Sequence, residues 1–184
     1  MHIRRFVAAG TALLIVGGCG SGGDALNPTA PTFTADSRAE SHTASRPRVV
    51  QTAGHFDANV DFSTLTLTPM GRNCLLGVDG QLVFSGTIEG TADGHTTALV
   101  FASCADVATN APGTYPDVFR SVAVFNGTVG GVTVSDVPLI YTGRSQPGGH
   151  IDALFVFSRG VEGILSVDAQ LAVGGSYRGP VIVR

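Results

Sequence analysis

The residues of this 184-residue chain that could do chemistry are few: three cysteines, five histidines and fourteen acids. A metal site needs ligands grouped at short spacings such as His-x-His or His-x-x-x-His. His55, His95 and His150 make no such pair. His95 follows Asp93-Gly94 and His150 follows Gly148-Gly149, so both read as residues at turns, and neither a metal nor a cofactor is expected. Glu89, Asp136 and Asp152 lie inside alternating segments, where a carboxylate turned inward would lose water, rise in pKa and become available for acid–base work. Asp152 is out of phase with Ile151, Ala153, Phe155 and Phe157; the phase that turns their three larger side chains inward is preferred and puts Asp152 on the solvent side, the inverted phase taking Leu154 and Val156 inside with it. The chain has no Gly-x-Ser-x-Gly nucleophile elbow, so no catalytic residue is assigned.

The cysteines say more. Cys74 and Cys104 are thirty residues apart and are not in the Cys-x-x-Cys spacing of a redox pair. In an oxidising compartment an even pair reads as one disulfide, worth roughly 3 to 4 kcal/mol for a loop of that length. Two buried free thiols are the alternative. Cys19 stands apart from both, at the end of a leader with Arg4 and Arg5 at its start and an apolar stretch from Phe6 to Val16. Crossing a bilayer as a helix takes roughly twenty apolar residues, more than this stretch provides, so residues 1–18 are expected to be removed.

Val16-Gly17-Gly18-Cys19 resembles the processing site of bacterial lipoproteins. That resemblance implies cleavage before Cys19, a diacylglycerol on its sulfur and acylation of the new amine. Two or more acyl chains anchor lastingly where one is marginal. An ordinary secretory leader and a twin-arginine signal are the alternatives. Gly20-Ser21 carries no acidic residue next to the anchor, which by resemblance to Gram-negative lipoproteins favours the outer membrane, facing the periplasm.

Residues 19–50 hold Gly20-Ser21-Gly22-Gly23, Pro28, Pro31 and a Ser/Thr/Arg-rich stretch to Arg48, too few large apolar groups to offset the entropy of ordering. They read as a tether with a reach of around 30 Å. The remainder, residues 51–184, suits one domain. It carries six arginines against eleven acids. No basic face is clustered, so a nucleic-acid partner is not expected.

Within that domain the pattern turns to period two. Leu82, Phe84 and Ile88 share one face of Gln81 to Glu89, with Gln81, Ser85, Thr87 and Glu89 on the other. Similar runs span Asp61 to Leu67, Thr96 to Ser103, Phe119 to Val129, Val132 to Arg144, His150 to Ser158, Val167 to Val173 and Tyr177 to Val183. Asp79-Gly80, Asp93-Gly94, Gly130-Gly131, Pro147-Gly148-Gly149 and Gly174-Gly175 punctuate them. Gly130-Gly131 has the spacing of a two-residue hairpin, where positive φ suits glycine. No segment shows a helical period. The expected fold class is all-β, either a closed antiparallel barrel or a β-sandwich. Cys104 to Pro116 is the longest irregular stretch; it reads first as a surface connection that Cys104 staples at one end, and its length makes a binding loop the alternative.

Phe84-Ser85-Gly86-Thr87-Ile88-Glu89-Gly90, Phe125-Asn126-Gly127-Thr128-Val129-Gly130-Gly131 and Tyr141-Thr142-Gly143 through Gly149 resemble the repeating pattern of uncharacterised bacterial proteins with an allene-oxide-cyclase-like barrel. The resemblance runs from about Gln81 to Gly179 and rests on strand and turn patterns. It implies an eight-stranded antiparallel barrel with an interior cavity, related in shape to plant allene oxide cyclases and dirigent proteins. No catalytic motif of the plant enzymes can be placed on this chain. The lipid anchor, the cysteine pair and the loop after Cys104 depart from the family.

The expected function is that of a monomeric envelope lipoprotein, held to the membrane by its N-terminal lipid. Its barrel would bind a small apolar ligand or an envelope partner without catalysis. An isomerase or cyclase acting inside the barrel is the alternative from another class, and it requires a buried carboxylate, tyrosine or asparagine in a cavity. A structural or adhesive lipoprotein is the third.

Overall fold

A computed structural model describes residues 46–184. The leader, the lipidation site Cys19 and the expected tether up to Ser45 lie outside the described residues. The rest forms β1 (Arg48–Met70), β2 (Asn73–Gly86), β3 (Ile88–Val100), a short helix α1 (Cys104–Thr109), then β4 (Asp117–Val129), β5 (Val132–Ser145), β6 (His150–Phe157), β7 (Val161–Gln170) and β8 (Gly174–Val183). Each strand pairs antiparallel with the next, and β8 closes onto β1. The architecture is the eight-stranded antiparallel barrel, not the sandwich. β1 runs from Arg48, ahead of the start at Gln51 that composition suggests.

Closure works because the alternation keeps phase around the circumference. Phe125 opposes Ala92 on β3 and Val137 on β5, and Tyr141 opposes Phe155, so inward residues meet inward residues at each step. β4 alternates buried and exposed over its first nine residues. A closed sheet leaves no unpaired edge.

Rings fill the middle of the barrel. Phe56 meets Phe155 edge to face with centroids 5.1 Å apart and meets Tyr141 at 5.9 Å, while Phe84 meets Phe125 at 5.6 Å. Such geometries add about 0.5 to 1.5 kcal/mol per pair beyond area burial. At the end that carries the β2–β3, β4–β5 and β6–β7 turns, Ile88, Val129, Val161 and Val181 complete the packing. That end is sealed.

Two sequence readings are corrected. Asp79-Gly80 and Asp93-Gly94 are not turns: Asp79 pairs with His95 and Gly80 with Gly94 in mid-strand. The turn between β2 and β3 lies instead inside the run from Gln81 to Glu89, at Gly86-Thr87. The Gly130-Gly131 hairpin is present, with φ of 57° and 82° at its two glycines. Cys104 to Pro116 is not wholly irregular. It opens with α1, where Ser103 accepts the Asp106 N–H at 3.2 Å as N-cap.

Candidate functional site

The other end of the barrel is hollow. A cavity of about 320 Å³ lies inside it, within the range of small-molecule pockets. Its origin is a wall of small residues. Gly80, Ala92, Gly94 and Ala98 face inward from β2 and β3, with Ala58 on β1 and Ala123 on β4 beside them. Larger groups such as Phe56, Phe119 and Tyr141 border the same space. Side chains fill a small barrel only when their summed volume suffices, and here it does not.

Residues 101–116 form a strap over this end, and Val107, Ala111, Pro112 and Tyr115 from it line the cavity. The strap is fastened on two sides. Cys104 is bonded to Cys74 of β2, with Cα atoms 4.8 Å apart. On the far side the Gly148 N–H donates to the Gly113 carbonyl at 2.9 Å, tying the strap to the β5–β6 turn. That turn is held in its own right, since the Leu171 N–H donates to Gly149 O at 2.8 Å and Gln170 Nε2 donates to Gly148 O at 2.7 Å. A Cβ on Gly113, whose φ is +82°, would come within 3.0 Å of Gly149 Cα, so glycine is what permits this approach.

Of the two aspartates that border the cavity, Asp79 is exposed and faces His95 on the outer surface, whereas Asp117 is buried. Asp117 opens β4 and is cross-strand partner of Ser145 on β5. It is only 8% exposed. Ser145 donates its hydroxyl to Oδ2 at 2.6 Å, whereas Oδ1 is buried with no hydrogen-bond partner. Burial raises the Asp117 pKa above the ordinary carboxylate value, and the hydrogen bonds from Ser145 oppose that rise in part. Tyr141 is pushed up as well, by its own burial and then by the negative charge of Asp117. The hydroxyls of Ser121 and Thr96 share one hydrogen bond across the β3–β4 pair. Asn110 donates instead to Asp106 O at 2.9 Å.

The residues singled out from sequence fall elsewhere. Glu89, Asp136 and Asp152 are all on the solvent side. Asp152 has the phase expected of it: Ile151, Ala153, Phe155 and Phe157 are buried around it. Asp136 sits at φ 53° beside a β4–β5 bulge, its N–H donating to Asn126 Oδ1 at 2.9 Å. The three histidines are exposed and dispersed. His95 meets Asp79 at 2.6 Å and His150 lies 3.5 Å from Asp152, both on the outer surface. Among the described residues no group of three His, Cys, Asp or Glu is placed to hold a metal.

Asp117 is the residue that sequence reasoning missed, and a signal for it existed. The alternation of Phe119, Ser121, Ala123 and Phe125 extends back by one more step to position 117, which turns that carboxylate inward. No protein-family model matches the chain, and no curated protein or solved structure shows significant similarity to it.

Proposed function

We propose that the chain is a lipid-anchored envelope protein whose barrel binds a small, mainly apolar molecule without transforming it. The observation that carries this reading is the cavity beneath the strap, bordered by alanine, valine, leucine and aromatic side chains with few polar groups among them. That combination is how proteins recognise small apolar ligands. Cys19, in a leader that resembles lipoprotein signals, would hold the barrel at the outer membrane on its periplasmic side.

A second reading, isomerase or cyclase chemistry inside the barrel, draws on Asp117 and Tyr141, which supply the buried carboxylate and tyrosine it requires. Binding is the stronger reading. A tyrosine with a raised pKa is a weaker proton donor, and the exposed histidines add no acid or base to the cavity.

The test is native mass spectrometry of the full chain extracted from its own envelope. A retained small molecule of low polarity is expected. Recovery of ligand-free protein, together with no thermal shift from a panel of apolar molecules, would overturn the binding reading. Labelled palmitate entering the wild-type chain but not Cys19→Ser tests the anchor separately.

A further inference from the structure

We propose that the cavity selects a ligand with an apolar body and one basic nitrogen, and that the unpartnered Oδ1 of Asp117 receives this protonated nitrogen. The inference rests on the binding reading above and names the chemical class of the ligand.

Unmet demand in the pocket identifies that class. A buried polar atom without a partner costs free energy, and Asp117 Oδ1 is such an atom on a residue that lines the cavity. Several of the other polar groups lining the cavity already have partners, the Tyr141 hydroxyl being an exception. Ser121 and Thr96 bond to each other, Asn110 to a backbone carbonyl, and Gln170 to Gly148 O. An ionised carboxylate only accepts hydrogen bonds, so the group that completes this site must donate one.

Charge decides between a neutral donor and an ammonium. The described ion pairs join His95 to Asp79, Arg144 and His150 to Asp152, His150 to Asp168, and Arg184 to Glu162. None of them involves Asp117. A carboxylate taken out of water is stabilised chiefly by a paired cation, and the described protein provides none here. The domain as a whole is acidic, with eleven acids against six arginines from Gln51 onward, which favours arrival of a cation and opposes an anion. The alanine and glycine wall of β2 and β3 would then take the apolar body, since Gly80, Ala92, Gly94 and Ala98 leave that side of the barrel empty.

Calorimetric titration of the full-length chain at neutral pH with decylamine, decanol and decanoate tests this, because the three probes share a tail and differ in the head. Decylamine is expected to bind about tenfold more tightly than decanol, the effect of one charge-assisted hydrogen bond. Decanoate should bind most weakly. In Asp117→Asn the decylamine affinity should fall to that of decanol. The ranking in the wild-type chain stands as a test even if that variant folds poorly. Equal binding of the amine and the alcohol, or an amine preference that survives Asp117→Asn, would overturn the assignment of the nitrogen while leaving a pocket for apolar molecules. Failure of all three probes to bind would overturn the pocket itself.

Discussion

The Tyr177 hydroxyl accepts the backbone N–H of Ile88 at 3.0 Å and lies 3.1 Å from the Ile88 carbonyl, so one side chain from β8 holds the start of β3 across the barrel interior. Its oxygen is also 3.0 Å from Ser85 O, at the end of β2. Tyr177 therefore clamps both sides of the Gly86-Thr87 turn from within, and it is only 2% exposed. Tyr177→Phe keeps the ring and removes the partner of a buried N–H. It should cost about 1 to 3 kcal/mol, read as a lower Tm or an earlier urea midpoint. An unchanged midpoint would mean that the turn holds without the clamp.

The turn that Tyr177 holds is also where the sequence was hardest to read. Alternation passes straight through it, since Phe84 and Ile88 are both buried on either side of Gly86-Thr87 and nothing in the period marks the reversal. Asp79-Gly80 and Asp93-Gly94 misled in the opposite direction. Asp-Gly is a strong turn signal in isolation, but here each glycine faces the barrel interior, and the two lie opposite one another across β2 and β3. The same glycines that resemble punctuation make the hollow wall. The strands were legible because segments buried on one face declare it by period two, but that period left barrel and sandwich open, and only the resemblance to allene-oxide-cyclase-like proteins pointed to the barrel. α1 was not legible, since six residues are too few to show a helical period. The strap, the one irregular stretch long enough to suggest binding, does cover the cavity.

The bond between Cys74 and Cys104 closes a thirty-residue separation and fastens the strap to β2. Replacing both cysteines by alanine should lower stability by roughly 3 to 4 kcal/mol on the loop-entropy account. The far fastening, from Gly148 N–H to Gly113 O, would remain. Hydrogen exchange should therefore quicken most at residues 101–109 and less at 113–116. Uniform acceleration across the barrel would show that the staple acts on the whole fold rather than on the strap.

Burial holds the Asp117 pKa above its value in the unfolded chain, so the sign of its contribution is fixed. Its contribution to stability is fully present below the unfolded value, about 3.9, and is lost as pH rises through the folded value. Asp117→Asn cannot ionise. The Tm of the variant relative to wild type should therefore climb as pH rises above about 4 and level off once the folded carboxyl has ionised. Asp61 works in the other direction, because hydrogen bonds from Ser63 lower its pKa and its contribution disappears as pH falls. It is common to both proteins and cancels in their difference. A difference that stays flat with pH would place the Asp117 carboxyl in water.

Ala98 offers a way to separate folding from binding. It lies on β3 opposite Phe119, is 6% exposed, and its methyl group borders the cavity. A larger apolar side chain at this position extends into empty space, and filling such space commonly adds about 0.5 to 2 kcal/mol. Ala98→Leu should therefore raise the Tm of the ligand-free chain while reducing the fraction that carries a small molecule in native mass spectra. The opposed directions are the informative part. If the extra methylenes merely strained the wall, stability and occupancy would fall together. If the hollow were only a packing defect, stability would rise with no occupancy to lose. Greater stability together with lost occupancy is the outcome expected of a cavity maintained for a ligand at the expense of packing.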